Sequence, residues 1–254
     1  MRKFIIELYQ RNEPLFFFTL LCLAASFVFL MLSRVSSLQV AGVNAWFKPF
    51  KFALSIALYC GTMAWLVWYL PKFNTALFVW SVIILLGFEI VYITLQAGKG
   101  QLSHFNLSSP FYTGMYVMMA VAATAVSVYT AYIGLLFFRN DFPDLPQYYV
   151  WSVRMAILLF VVFSLEGFVM GSRLSHTIGA ADGETGLPLI NWSTKYGDPR
   201  IVHFIGMHAL QVLPLASYYV LKNLTATITL CLVYGFLALF TLIQALNGRP
   251  FYKL

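Results

Sequence analysis

Charge is what this chain has least of. Only 10% of its 254 residues are Asp, Glu, Lys or Arg, against roughly 25% in soluble domains. That scarcity excludes a water-soluble globule. Cysteine is also rare: Cys22, Cys60 and Cys231 each fall inside an apolar run, with no CxxC spacing. Neither a disulfide framework nor a thiolate metal site is indicated, and the three read as small hydrophobic residues. The chain has no P-loop, GxSxG or HExxH motif. Nucleotide hydrolysis, the usual serine-hydrolase route and soluble-type zincin chemistry therefore lack support. The net charge of +7 comes without a basic run or basic-aromatic interleaving, so no nucleic-acid partner is expected.

What is abundant is apolar sequence. Hydrophobic residues make up 61% of the chain, at a mean hydropathy of +0.79. Seven runs stand out, at 14–33, 49–70, 75–97, 111–138, 148–170, 200–221 and 227–246. Each is near the roughly 20 residues a helix needs to cross a bilayer. The runs are continuously apolar rather than alternating, which argues for helices over a barrel. The expected fold is an all-α polytopic transmembrane helical bundle, a single domain over 1–254, with the lipid bilayer as its partner. Arg2 and Lys3 before the first run resemble the start of a signal peptide, but that run is longer than a signal core and no small-x-small site follows it. A retained span is expected.

Seven spans place the termini on opposite sides. The N-terminal side then carries short connections at 71–74, 139–147 and 222–226, while the other face carries 34–48, 98–110 and 171–198. One face connects and the other holds the unusual polar residues. Gly42 to Lys51 mixes Trp46 and Phe47 with two lysines. It reads as an interfacial helix or, alternatively, as a way of turning Lys48 or Lys51 inward. Lys and Arg outside the spans number six on the N-terminal side and nine on the other. Setting aside Lys48, Lys51, Arg173 and Arg200 as site candidates leaves near balance, so the positive-inside rule does not orient the chain. The sequons at Asn106, Asn191 and Asn223 fall on both faces and read as chance matches.

An ionisable group inside a membrane needs a partner and a reason. Glu89 lies in the third span and Glu166 in the fifth; Arg154, nearer the other end of the fifth, reads as a snorkelling anchor. The four histidines, His104, His176, His203 and His208, all lie on or just beneath the elaborate face. At ~1.5 Å rise per residue, Glu89 and His208 come out at a shared depth of roughly 12 Å, and Glu166 and His203 at roughly 5 to 6 Å. With His203 at zero on a helical wheel, Arg200 falls near about 60°, Gln211 near about 80° and His208 near about 140°. One arc of the sixth span thus carries all four, while Gly206 and Ala209 lie opposite, where small residues permit close packing. Glu89 and Gln96, like Glu166 and Arg173, are seven apart and stack on one face.

Such a cluster can hold a divalent metal such as zinc on His104, His176, His203 or His208, or serve as haem ligands, with Gln211 beside them. Glu89 or Glu166 would be the general base, and Arg173 or Arg200 would stabilise developing negative charge. His203 and His208 are five apart rather than four, so a metal would take one of them together with a loop histidine. The loop from Gly179 to Asp198 has turn-forming glycines and Pro188, and its apolar residues suit a lid; Asp198 is placed to cap the sixth span.

The stretches Lys99-Gly-Gln-Leu-Ser-His-Phe-Asn106 and Asn191 to Gln211 resemble segments of bacterial multi-pass integral membrane proteins without an assigned activity. The resemblance implies a bacterial inner membrane and no particular reaction. In span number and in His, Ser and acid content the chain is loosely similar to seven-helix zinc hydrolases of the alkaline-ceramidase type. Those carry HxxxH in the last span, where this chain has no histidine. The expected function is a metal- or haem-dependent membrane enzyme acting on a lipid or quinone-like, hydrophobic or amphiphilic molecule. The alternatives are a proton-coupled transporter or channel for a small solute, and a non-catalytic sensor or complex subunit.

Overall fold

A computed structural model describes residues 2–184 and 186–253. The fold is all-α and polytopic. Among the described residues seven helices are long and apolar enough to cross a membrane: Glu13–Val35, Phe47–Tyr69, Thr75–Gly98, Pro110–Arg139, Gln147–Arg173, Pro199–Leu221 and Leu224–Leu246. Their bounds fall within three residues of the apolar runs, because a helix in hydrocarbon must satisfy its own backbone and ends where polar capping resumes. The chain divides into two compact units, Met1–Val126 and Ser127–Leu254.

In the first unit, α1 (Arg2–Arg11) precedes the first span α2 (Glu13–Val35). The short helix was not expected from the apolar runs. Asn12 separates the two, its side-chain oxygen accepting from the Leu15 amide, with a proline in the first turn of α2. Arg11 fastens α1 to the next span, α3 (Phe47–Leu66): its guanidinium lies 3.6 Å from the Trp65 ring centroid and donates to the Trp65 carbonyl. α2 and α3 pack most closely of all. Leu15, Thr19, Cys22, Ser26 and Ser33 are buried on α2, opposite buried Ala53, Ala57, Cys60 and Ala64 on α3. Small residues at three- and four-residue spacing let the backbones approach. The large side chains Phe17, Leu21 and Phe27 point outward and are exposed, as lipid requires. All three cysteines are buried and free.

The segment from Gly42 to Lys51 is not a single helix: a hairpin leads into the second span, which begins at Phe47. β1 (Gln39–Val40) and β2 (Val43–Asn44) form a minimal antiparallel hairpin. Its turn residues Ala41 and Gly42 both have positive φ, 50° and 76°, the geometry of a two-residue hairpin turn. Asn44 donates to the Ser33 and Ser36 carbonyls and closes the end of α2. Lys48 and Lys51 ride half-buried on the start of α3. α4 (Thr75–Gly98) and the first half of α5 (Pro110–Arg139) complete this unit.

The second unit takes the rest of α5, then α6 (Gln147–Leu165), α7 (Gly167–Arg173), α8 (Pro199–Ala216) and α9 (Leu224–Leu246). Its closest pairing is α6 with α8. A Cβ at Gly206 would overlap Phe163, so the glycine allows the two helices to touch. Ala156, Ala209, Leu213 and Cys231 form one buried cluster, and Phe163, Val202 and Ala238 another. Arg154 donates to the Phe137 and Asn140 carbonyls and lies beside the rings of Phe138 and Trp151, which is an anchoring role.

Candidate functional site

The fifth span runs on through its acid, with helical backbone angles at Glu166 (φ −54°, ψ −27°). Glu166 ends α6, and α7 begins at Gly167. Gly206 brings α8 against this part of the span, and Gly167 lies in van der Waals range of the His203 ring, a Cβ there being 3.4 Å from its Cε1. His203 Nδ1 is 3.6 Å from Glu166 Oε2. The Glu166 side chain is 3% exposed and that of His203 31%. Both Glu166 oxygens and His203 Nδ1 are buried without a hydrogen-bond partner. Their separation is beyond a hydrogen bond, so this buried acid and imidazole face each other with their polar atoms unsatisfied. Native proteins seldom leave such atoms unpaired without a functional reason.

The other residues of the expected arc turn to separate tasks. Arg200 is bound to Asp198, which is wholly buried, at 2.5 Å, and donates to the Asn191 carbonyl at 2.6 Å. Asp198 also accepts from the Arg200 and Ser193 amides. It is therefore both the helix cap expected and the anchor of the preceding loop. His208 Nδ1 lies 3.2 Å from Gln211 Oε1, one turn along α8, and its ring meets Phe204 edge-on with centroids 4.3 Å apart. Arg173 is exposed at the end of α7. Glu166 and Arg173 lie two turns apart on the one span Gln147–Arg173, Glu166 buried and Arg173 exposed.

His176 is held by Asp182, an acid that the apolar pattern gave no reason to single out. Its Nδ1 is 2.8 Å from Asp182 Oδ2, and its amide and the Ser175 hydroxyl also donate to the same carboxylate. Partial burial alone would raise the Asp182 pKa, but the bonds from His176 and Ser175 outweigh it and hold that carboxyl well below the usual carboxylate range. The only sequence signal was a Ser-His pair followed six residues later by an Asp-Gly turn. The rest of the loop packs back on its own unit. Ile178 bridges Gly197, Trp192 packs on Phe204 at 5.5 Å, and Gly197 is pressed so closely on Ala245 that a Cβ would overlap its carbonyl.

The first unit carries the remaining candidates. Glu89 and Gln96 are both buried on one face of α4, and Gln96 donates to the Leu102 carbonyl. Glu89 Oε1 and the Tyr92 hydroxyl are buried without partners. Tyr92 was not anticipated, because an aromatic in a span reads first as core. His104 Nδ1 is 3.1 Å from the Ser103 hydroxyl, and its ring packs on Phe52 and Tyr116.

The metal set expected from His104, His176, His203 and His208 finds no support in this geometry. Among the described residues no three of His, Cys, Asp and Glu gather into a group that could hold a metal ion. The physical reason is visible in the second unit, where three histidines take different neighbours: Asp182, Glu166 and Gln211. No family model, curated protein or solved structure matches the chain.

Proposed function

We propose that this integral membrane protein, residing in a bacterial inner membrane, is an enzyme that acts by proton transfer on a lipid or quinone-like molecule at one membrane face. The acid–base couple is Glu166 and His203. The observation that carries the reading is their 3.6 Å separation with three buried, unpartnered polar atoms between them. A carboxyl and an imidazole this close can pass a proton through one bridging water, or to a third group placed against both. Neither spends its reacting atoms on structure. Asp198 and Arg200 hold the loop over the start of α8, and Trp192 shields it. The zinc version has less support, because no three-ligand group is present among the described residues. Proton-coupled transport of a small solute is a second reading, favoured by the further buried carboxyl of Glu89 in the first unit.

The test is to incubate purified protein in nanodiscs with bacterial polar lipids and membrane quinones and follow both pools by mass spectrometry. Conversion of one species by the wild type, lost in Glu166→Gln and His203→Ala, is the expected result. Unchanged pools, together with proton uptake into protein-containing liposomes that Glu166→Gln abolishes, would replace the enzyme with the transporter.

A further inference from the structure

We infer that the first unit contains a binding site of its own, for an uncharged ring bearing a carbonyl or hydroxyl, of the quinone or phenol class, recognised by Glu89 and Tyr92. The inference does not rest on the Glu166–His203 couple.

Glu89 and Tyr92 stand three apart on α4, hence on one face of the helix. Both are more than nine-tenths buried, at 6% and 5% exposed, and each presents a buried oxygen with no hydrogen-bond partner. One buried acceptor and one buried hydroxyl on the same helix face match the two oxygens of one ring, a hydroxyl for Glu89 and a carbonyl for Tyr92. The surroundings are rings and thioethers. Phe88 stacks on Tyr92 with planes 13° apart, and Phe52, Phe88 and Met115 pack against the buried Tyr92, Ile93 and Met119. Aromatic rings and methionine sulfur favour contact with another flat ring.

The helices here are not pressed together as they are in the α2–α3 seam. The contact of α4 with the first half of α5 runs through long side chains instead of close backbones. Such side chains can give way to an inserted ring, as unbranched methionine does readily. The charge of the neighbourhood selects a neutral guest. Lys48 Nζ lies 6.0 Å from the Phe52 ring, and Phe52 also packs on His104. A neutral lipid-soluble ring meets no desolvation barrier on leaving the bilayer.

The experiment is equilibrium binding of a decyl-chain benzoquinone to the full chain in quinone-free nanodiscs, with empty nanodiscs as the partition control. Saturable binding is expected, weakened on the order of tenfold in both Glu89→Gln and Tyr92→Phe, since each loses about one hydrogen bond. Thermal unfolding without quinone gives a second reading. If Glu89 is kept for binding, Glu89→Gln is as stable as the wild type or more so, because a buried unpaired acid has been removed. Binding no greater than partition into empty nanodiscs, or affinities within about twofold of wild type in both variants, would overturn the proposal. So would clear destabilisation by Glu89→Gln with binding intact.

Discussion

The two units solve the problem of a buried acid differently. In the second, Glu166 lies where α6 passes into α7 and faces an imidazole on another helix, which Gly206 lets approach. In the first, Glu89 lies mid-helix with a phenol on its own face, and rings pack against that phenol. The couple of the second unit depends on tertiary contact between α6 and α8, whereas the pair of the first is built into the local order of α4. Disturbing helix packing should therefore damage the second site far more than the first.

The largest effect is expected at Gly206. Gly206→Ala forces a methyl into Phe163, and overpacking of this kind costs about 3 kcal/mol, read as reduced resistance to unfolding in detergent. Gly114→Ala on α5, where a Cβ would meet nothing within 4 Å, should leave stability unchanged or slightly raised. Equal effects at the two positions would erase the contrast.

Next comes Asp198→Ala, which removes the α8 cap and the buried partner of Arg200. A loss of about 2 to 3 kcal/mol is expected, with faster protease cleavage between 191 and 198. Glu166→Gln should remove activity while keeping stability within about 1 kcal/mol of wild type or above it, since an unpaired buried acid is costly. Thr19→Val sharpens the comparison from the structural side. The Thr19 hydroxyl is also buried and unpartnered, but it stands in the α2–α3 seam against Gly61. Its replacement should be neutral or stabilising by less than about 1 kcal/mol, with no change in activity or binding.

The smallest effect concerns the loop. The Asp182 carboxyl is held below its unfolded value, so the contribution of its contacts is complete above the ordinary carboxylate pKa near ~4. It disappears only as the pH falls through the lower folded value. Hydrogen exchange of amides 175–178 should accordingly stay slow down to mildly acidic pH in the wild type and be fast at neutral pH in Asp182→Asn. Identical exchange in the two proteins would remove Asp182 as the organiser of His176.

The spans were legible because apolar length alone decides them, and the Asn12, Asn74, Asp198 and Asn223 caps carry ordinary local signals. α1 was not legible, since ten amphipathic residues need Trp65 on another helix to hold Arg11. Counting helical rise put Glu166 and His203 at one depth, and they meet. The same arithmetic placed Arg200, His208 and Gln211 on one arc but could not say whom each would bind. Arg200 went to Asp198, two residues away, because a short buried ion pair is stronger than a distant one.

By itself, then, the sequence determined the solvent, the number and ends of the spans, and which few polar residues would have to be housed in hydrocarbon. Those follow from transfer free energy and helix length, which act residue by residue. Only the tertiary structure decided which polar atoms were paired and which were left open: it brought Glu166 to His203 and left Glu89 Oε1 and the Tyr92 hydroxyl unpartnered. That choice is set by how closely particular glycines and rings let neighbouring helices approach, a property no single helix contains.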